Sequence, residues 1–207
     1  MATAVKICGI TRIEDALAAA RCGAHAIGLV FYRPSPRYVA PGRAGDIIRA
    51  LPPFVTAVGL FVDAPAQEVR EVLAQAPVSL LQFHGAEARA FCRRFGLPYM
   101  KAVRVRAGVD LLQYAHDYHD AKALLLDAFI DGAHGGTGET FDWNLIPGTL
   151  PLPIVLSGGL TADNVTEAIR AVHPWAVDVS SGVEAAKGIK DAAKIAAFMS
   201  GVRNADV

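Results

Sequence analysis

Short runs of branched and aliphatic residues alternate along the chain with longer stretches in which apolar side chains recur every three or four positions. The runs are VKIC at 5–8, AIGLVF at 26–31, TAVGLFV at 56–62, SLLQF at 79–83, MKAVRV at 100–105, ALLLDA at 123–128, PIVLS at 153–157 and AVDVS at 176–180. Each is almost continuously apolar, as a strand must be when both its faces are covered, so the pattern predicts eight parallel strands. Helical periodicity predicts an outer ring of helices over 13–21, 43–51, 66–75, 87–95, 162–172 and 191–199. Thr11, Asp63, Thr161 and Gly188 stand near the expected helix starts. After the sixth run, DGAHGGTGETFDW at 131–143 carries four glycines and little apolar period, which predicts a functional loop, the alternative being a merely flexible one with Phe141 and Trp143 as anchors on the barrel edge.

Strand–helix repetition suits either an open doubly wound sheet or a closed barrel, and the glycines separate the two. An open dinucleotide-binding sheet favours GxGxxG after its first strand, whereas here that strand runs into Cys8-Gly9-Ile10-Thr11. The glycine turns follow the seventh and eighth runs instead, where (β/α)8 enzymes commonly hold a phosphate. The expected fold is therefore α/β, a single-domain (β/α)8 TIM barrel of eight parallel strands over residues 1–207. Twenty basic and twenty acidic side chains cancel, so no global field draws the chain to nucleic acid or an anionic membrane, and an anionic ligand needs local recognition. No apolar stretch reaches the ~20 residues of a membrane-spanning helix. The three cysteines show no CxxC spacing, so neither a disulfide framework nor a thiolate zinc site is expected, and a reducing cytoplasm fits. MATAVKICGI lacks a secretory pattern and is expected to be part of the fold.

Two turns, Ser157-Gly158-Gly159 and Ser180-Ser181-Gly182, let the backbone approach an anion closely and turn N–H groups toward it, which makes them the expected phosphate cradle. Cys8 ends the first strand at the expected barrel mouth, where its thiolate could abstract a proton; Cys22 and Cys92 read as small buried hydrophobes. Asp127 ends the apolar run ALLLD, where a carboxyl group needs compensation or a task, and in its protonated form it suits an acid. Arg37 lies in the proline-stiffened FYRPSPRYV loop, and its guanidinium suits a carboxylate-bearing aromatic ligand; Arg33 is its local competitor. Asp178 and His84 are secondary binding candidates, each with a structural hydrogen bond as the alternative. His116 and His119, three apart, are read as a solvated helix end, and no metal is expected.

KICGIT at 6–11, SPRYV at 35–39, QFHG at 82–85, LLDA at 125–128, GGTGETFDW at 135–143, LSGGL at 156–160 and VDVSSGVE at 177–184 resemble, in order, the motifs of the phosphoribosylanthranilate isomerases. The resemblance spans nearly the whole chain and implies an enzyme of tryptophan biosynthesis that needs no cofactor and takes a small phosphoribosyl substrate. That reaction is an Amadori rearrangement, in which N-(5-phosphoribosyl)anthranilate becomes 1-(2-carboxyphenylamino)-1-deoxyribulose 5-phosphate. It further implies Asp127 as general acid, Cys8 as general base, Arg37 on the anthranilate carboxylate, the two glycine turns on the phosphate and the 135–143 loop as a closing lid. Two alternatives stand beside it. The related isomerase of histidine biosynthesis is expected to carry Asp where Cys8 stands, and a noncatalytic phospho-ligand-binding barrel would bind without turnover.

Overall fold

In the computed structural model, which describes residues 2–128 and 142–205, eight strands follow one another in chain order around a closed barrel. They are β1 (Ala4–Ile7), β2 (Ala26–Val30), β3 (Thr56–Phe61), β4 (Leu80–Phe83), β5 (Tyr99–Val105), β6 (Ala123–Ala128), β7 (Ile154–Leu156) and β8 (Ala176–Val179). Every adjacent pair is parallel, and β1 meets β8 with Ala4 opposite Ala176 and Lys6 opposite Asp178, so no edge of the ring stays unpaired. Around it lie α1 (Ile13–Arg21), α2 (Pro41–Ala50), α3 (Ala66–Gln75), α4 (Arg89–Cys92), α5 (Leu111–Asp117), α6 (Val165–Val172) and α7 (Ala192–Ala205). None of the described helices is long and apolar enough to cross a membrane.

Strand alternation divides the apolar residues into two layers. Outward-facing Ile7, Ile27, Leu29, Leu81 and Val177 join the buried faces of the helices in a large outer core, while Val58, Met100, Ala102, Leu125, Val155 and Ala176 pack inside the barrel. The inner layer mixes alanine with larger residues because a small barrel has room for few bulky ones. In the outer layer, Phe31, Phe61, Phe83 and Phe95 form a chain of ring contacts at 5.3, 6.3 and 6.0 Å that ties β2, β3 and β4 to the turn after α4.

All eight expected strands are present, but β1, β2, β3, β7 and β8 end one residue early, which leaves Cys8, Ser157 and Ser180 just past the ends of β1, β7 and β8. α5 lacks a predicted counterpart because LLQYAHD is too short to show a helical period; Asp110 caps it, accepting from the Gln113 N–H at 2.9 Å. The expected helix starts need correction, since other contacts engage those side chains. The Thr11 hydroxyl donates to the Gly188 carbonyl, Asp63 accepts from the Ala86 N–H, and Thr161 accepts from the Asp163 N–H within a turn before α6. Gly188, at φ +78°, turns a short hairpin between β9 (Glu184–Ala186) and β10 (Ile189–Lys190), and Asp191 rather than Gly188 caps α7. Of the expected lid, residues 131–141 lie outside the described residues; Trp143 begins a short 3-10 turn and packs on the outer core.

Gly45 sits where α2 presses on α3, and a Cβ there would overlap the carbonyl oxygen of Gln75. Alanine is better than glycine in a helix interior by about 1 kcal/mol, yet overlap with a backbone atom that cannot rotate away costs about 1–3 kcal/mol. Gly45→Ala is expected to lower the thermal midpoint by about 2–8 °C, read by circular dichroism, with activity at low temperature retained.

Candidate active site

Residues two apart on a strand point to the same side, and this rule assembles the barrel mouth. Lys6 and Cys8 face inward from β1 and its end, Gln82 and His84 from β4, and Asp178 and Ser180 from β8, with Asp127 of β6 and Ser157 after β7 between them. All but Lys6 line one cavity, closed on one side by Arg37 and Tyr32 from the loop after β2 and walled by Val30, Leu60 and Val62. A larger concavity of about 780 Å³ opens at the N-terminal end, beside 147–154 and 169–175, but holds none of the candidate residues. Converging chemistry, not size, therefore marks the mouth as the site.

Cys8 is buried, its N–H donating to the Val179 carbonyl at 2.8 Å. Burial pushes its thiol above the ordinary range, and the neighbouring Lys6 ammonium opposes that rise. Lys6 itself donates to Asp178 Oδ1 at 2.8 Å. Burial lowers the Lys6 pKa, but the Asp178 carboxylate and the Cys8 sulfur outweigh it and carry the group to about 12, so Lys6 is charged at neutral pH. Gly28 of β2 makes the arrangement fit: a Cβ there would come within 2.7 Å of Cys8 Sγ and 3.0 Å of Lys6 Nζ.

Across the mouth, Gln82 Nε2 donates to His84 Nδ1 at 3.0 Å, which leaves the proton of a neutral imidazole on Nε2, 3.1 Å from Asp127 Oδ2. That is the arrangement of an ionised Asp127. Gln82 Oε1 is buried without a partner among the described residues, and turning the amide over would offer it to an Nδ1–H. His84 Nε2 would then accept from a protonated Asp127, so the same three side chains accommodate both protonation states. Asp127 Oδ1 accepts from the Ala128 N–H at 3.0 Å, and a Cβ on Gly158 would fall 2.9 Å from this oxygen, which restricts position 158 to glycine.

Arg37 is also buried and spends one edge of its guanidinium on Glu184, Nε to Oε1 and Nη2 to Oε2, both at 2.8 Å. Lys190 of β10 donates to the same Oε1 at 2.9 Å and to the Ser180 carbonyl at 3.0 Å. Burial disfavours the Glu184 carboxylate, but hydrogen bonds from Arg37 and Lys190 reverse this and hold its pKa below the ordinary range. Two cations around one anion leave a net positive charge beside the Ser180 turn. A guanidinium has a second edge, formed by Nη1 and Nη2, with two parallel N–H groups that suit another carboxylate.

The two glycine turns touch. A Cβ on Gly182 would overlap the Leu160 carbonyl, and Asn164 pins the first turn by donating to the Gly159 carbonyl at 2.9 Å while accepting from the Thr161 N–H at 2.8 Å. Gly158 and Gly159 have φ of +87° and +64°, a left-handed pair that glycine adopts without penalty. Both serine hydroxyls face the mouth, Ser180 donating to the Cys8 carbonyl at 3.1 Å and Ser157 to Asp178 Oδ2 at 3.4 Å. Ser181 and Gly182 open the short 3-10 turn that leads to Glu184.

Residues 5–201 match the family model described as N-(5'-phosphoribosyl)anthranilate (PRA) isomerase. The chain belongs to the phosphoribosylanthranilate isomerase family. It is 63% identical over 202 residues to the N-(5'-phosphoribosyl)anthranilate isomerase of Nitrosospira multiformis, covering 98% of this chain and 97% of that one. The crystal structure of phosphoribosyl anthranilate isomerase from Thermotoga maritima superposes with a TM-score of 0.88 at 42% identity, covering 99% and 98% of the two chains. A solved phosphoribosyl anthranilate isomerase in complex with reduced 1-(o-carboxyphenylamino)-1-deoxyribulose 5-phosphate gives a TM-score of 0.82 at 38% identity, covering 97% and 98%.

In this phosphoribosylanthranilate isomerase family member, Cys8, Asp127, Arg37, His84, Asp178, Ser157 and Ser180 all line the mouth cavity. Gly158, Gly159, Ser181 and Gly182 stand beside it in the two turns. His119 lies away from it, engaged by Arg89 Nη2 at 3.0 Å on an exposed face. Sequence reading does not single out Lys6, Gln82, Glu184 or Lys190. For the first two a signal exists: each is polar, lies in an otherwise apolar strand and sits two residues before a candidate on the same face.

The depressed Glu184 pKa predicts a pH dependence. Its stabilisation is complete above the ordinary glutamate range near 4.5 and is lost as pH falls through the lower folded value. Glu184→Gln leaves Arg37 and Lys190 without their anion and is expected to cost about 3–5 kcal/mol at pH 7, with a flatter dependence of the unfolding midpoint on pH below about 4.5. Denaturant titrations of both proteins across that range check it.

Proposed function

We propose that the mouth carries out the isomerisation of N-(5'-phosphoribosyl)anthranilate with Asp127 as general acid and Cys8 as general base. The observation that carries this reading is the placement of these two buried groups in one cavity, each with its own support: Gln82 and His84 hold Asp127, and the Lys6–Asp178 pair lies at Cys8. Asp127 donates its proton to the furanose ring oxygen as the C1–O bond breaks, and the nitrogen lone pair forms the C1=N bond of a protonated Schiff base. The Cys8 thiolate removes the C2 proton, and the electrons of that C–H bond form the C1=C2 enolamine. Tautomerisation returns a proton to C1 and gives the C2 ketone. His84 can accept from the protonated Asp127 and donate to the ionised form, so the acid stays fixed while its charge changes.

The free edge of Arg37 meets the anthranilate carboxylate, the turns at Ser157–Gly159 and Ser180–Gly182 hold the phosphate, and Asp178 keeps Lys6 in place instead of serving the substrate first. Lys190 adds positive charge behind the Ser180 turn, so an electrically balanced chain can still favour a dianion locally. The whole chain acts as one catalytic unit and takes this small phosphoribosyl substrate rather than nucleic acid. A reducing cytoplasm keeps its cysteines as thiols. A cysteine at the end of β1 favours the anthranilate substrate over the histidine-pathway isomerisation, for which an aspartate is expected there.

Turnover is followed by the fluorescence change as enzymatically generated phosphoribosylanthranilate is consumed. Cys8→Ser and Asp127→Asn are each expected to reduce kcat by about 10² to 10⁴ while binding of a reduced product analogue survives. Full turnover in both folded variants would overturn the assignment, and an intact protein that binds the analogue without turnover would make the barrel a noncatalytic binder.

A further inference from the structure

We infer that Lys6 is a positioning residue for proton abstraction: its ammonium, clamped by Asp178, favours the Cys8 thiolate against the apolar wall of the mouth. Three observations lead there. Lys6 and Asp178 face each other in the β1–β8 register and are both at least nine-tenths buried, so the ion pair is built into barrel closure. The pair uses one of the three ammonium N–H groups, and the chain places Cys8 two residues on, facing the same way. Sγ and Nζ both crowd the missing Cβ of Gly28, which confines them to one small volume between β1 and β2. Around Cys8 the other walls are Val30, Leu60 and Val62, which give a sulfur anion no support.

Lys6 does not line the cavity that substrate would enter, so it acts through Cys8 and not on the reacting atoms. Its effect on the thiol has the required sign: burial raises the Cys8 pKa, Lys6 lowers it, and Asp178 raises it by less than Lys6 lowers it. The other charged groups that face Cys8 are Lys190 from β10, with a weaker lowering effect, and Arg37, whose side chain packs against Gly9 and is paired with Glu184. Asp127 and His84 face it across the cavity. An ammonium with a fixed carboxylate partner is well suited to this task, because it can neither move out to solvent nor give up its charge at neutral pH.

This inference rests on Cys8 being the base, and the test separates the two claims. Labelling of Cys8 by iodoacetamide, followed by peptide mass analysis from about pH 6 to 10, reports the thiolate fraction without any turnover. Lys6→Met is expected to raise the labelling midpoint by about one unit or more, to slow labelling at pH 7.5 by about tenfold and to lower kcat by a similar factor with little change in KM. Asp178→Asn is expected to move the midpoint down, since an amide oxygen still accepts from Lys6 while the opposing charge is gone. A purely structural pair would shift neither midpoint. If Lys6→Met leaves Asp178 too exposed to its own charge to fold, Lys6→Met/Asp178→Leu removes the pair together and is still expected to raise the midpoint, because Lys6 is the stronger influence on Sγ. An unchanged midpoint in either folded variant would overturn the role of Lys6. Full turnover by Cys8→Ser alongside shifted midpoints would instead remove the base assignment and leave the electrostatic coupling standing.

Discussion

The pairing of β1 with β8 is the constraint on which the rest depends. Without it the eight strands form a curved sheet with two open edges and an interior exposed to water. With it, every inward residue faces a partner across a narrow, mostly apolar tube, and polar groups survive there only in mutually satisfied sets. The closing pair carries such a set in Lys6 and Asp178, opposite each other in register. Closure therefore fixes the strand alternation that sends Cys8 and Ser180 into the mouth and places Val5, Ile7, Val177 and Val179 in the outer core.

Charge at the mouth is arranged in small closed groups rather than as a field. Lys6 pairs with Asp178, Arg37 and Lys190 share Glu184, and Asp127 contacts His84, which in turn contacts Gln82. Each group restrains side chains that would otherwise lose several rotamers on binding, so much of the ordering cost falls on folding rather than on ligand capture. The net positive character of the Arg37–Glu184–Lys190 group puts local positive charge beside the glycine turns of a chain whose total charge is zero.

The fold was legible because parallel, doubly covered strands leave near-continuous apolar runs, and two helices, α1 and α3, match their expected bounds. α5 escaped because it is too short to set a period, and the helix caps were misplaced because Thr11 and Asp63 bond to groups elsewhere in the fold and Thr161 to the turn before α6. Cys8, Asp127 and the glycine turns were visible because each breaks an apolar run at a strand end. Lys190 was not, since it belongs to a hairpin with no distinctive composition, and its bonds to Ser180 and Glu184 follow only from how that hairpin folds back. Lys6 and Asp178 lie 172 residues apart, so no local pattern could reveal that they meet.

That separation also has a consequence in time. Cys8 is made 170 residues before Asp178 and 182 before Lys190, which help define its electrostatic surroundings. At ordinary elongation rates the interval is roughly 10–30 s, during which the nascent chain carries Cys8 without those charges beside it. The surroundings of this sulfur are thus completed late: β1 supplies the atom, and β8 and the hairpin after it supply two of the charges beside it.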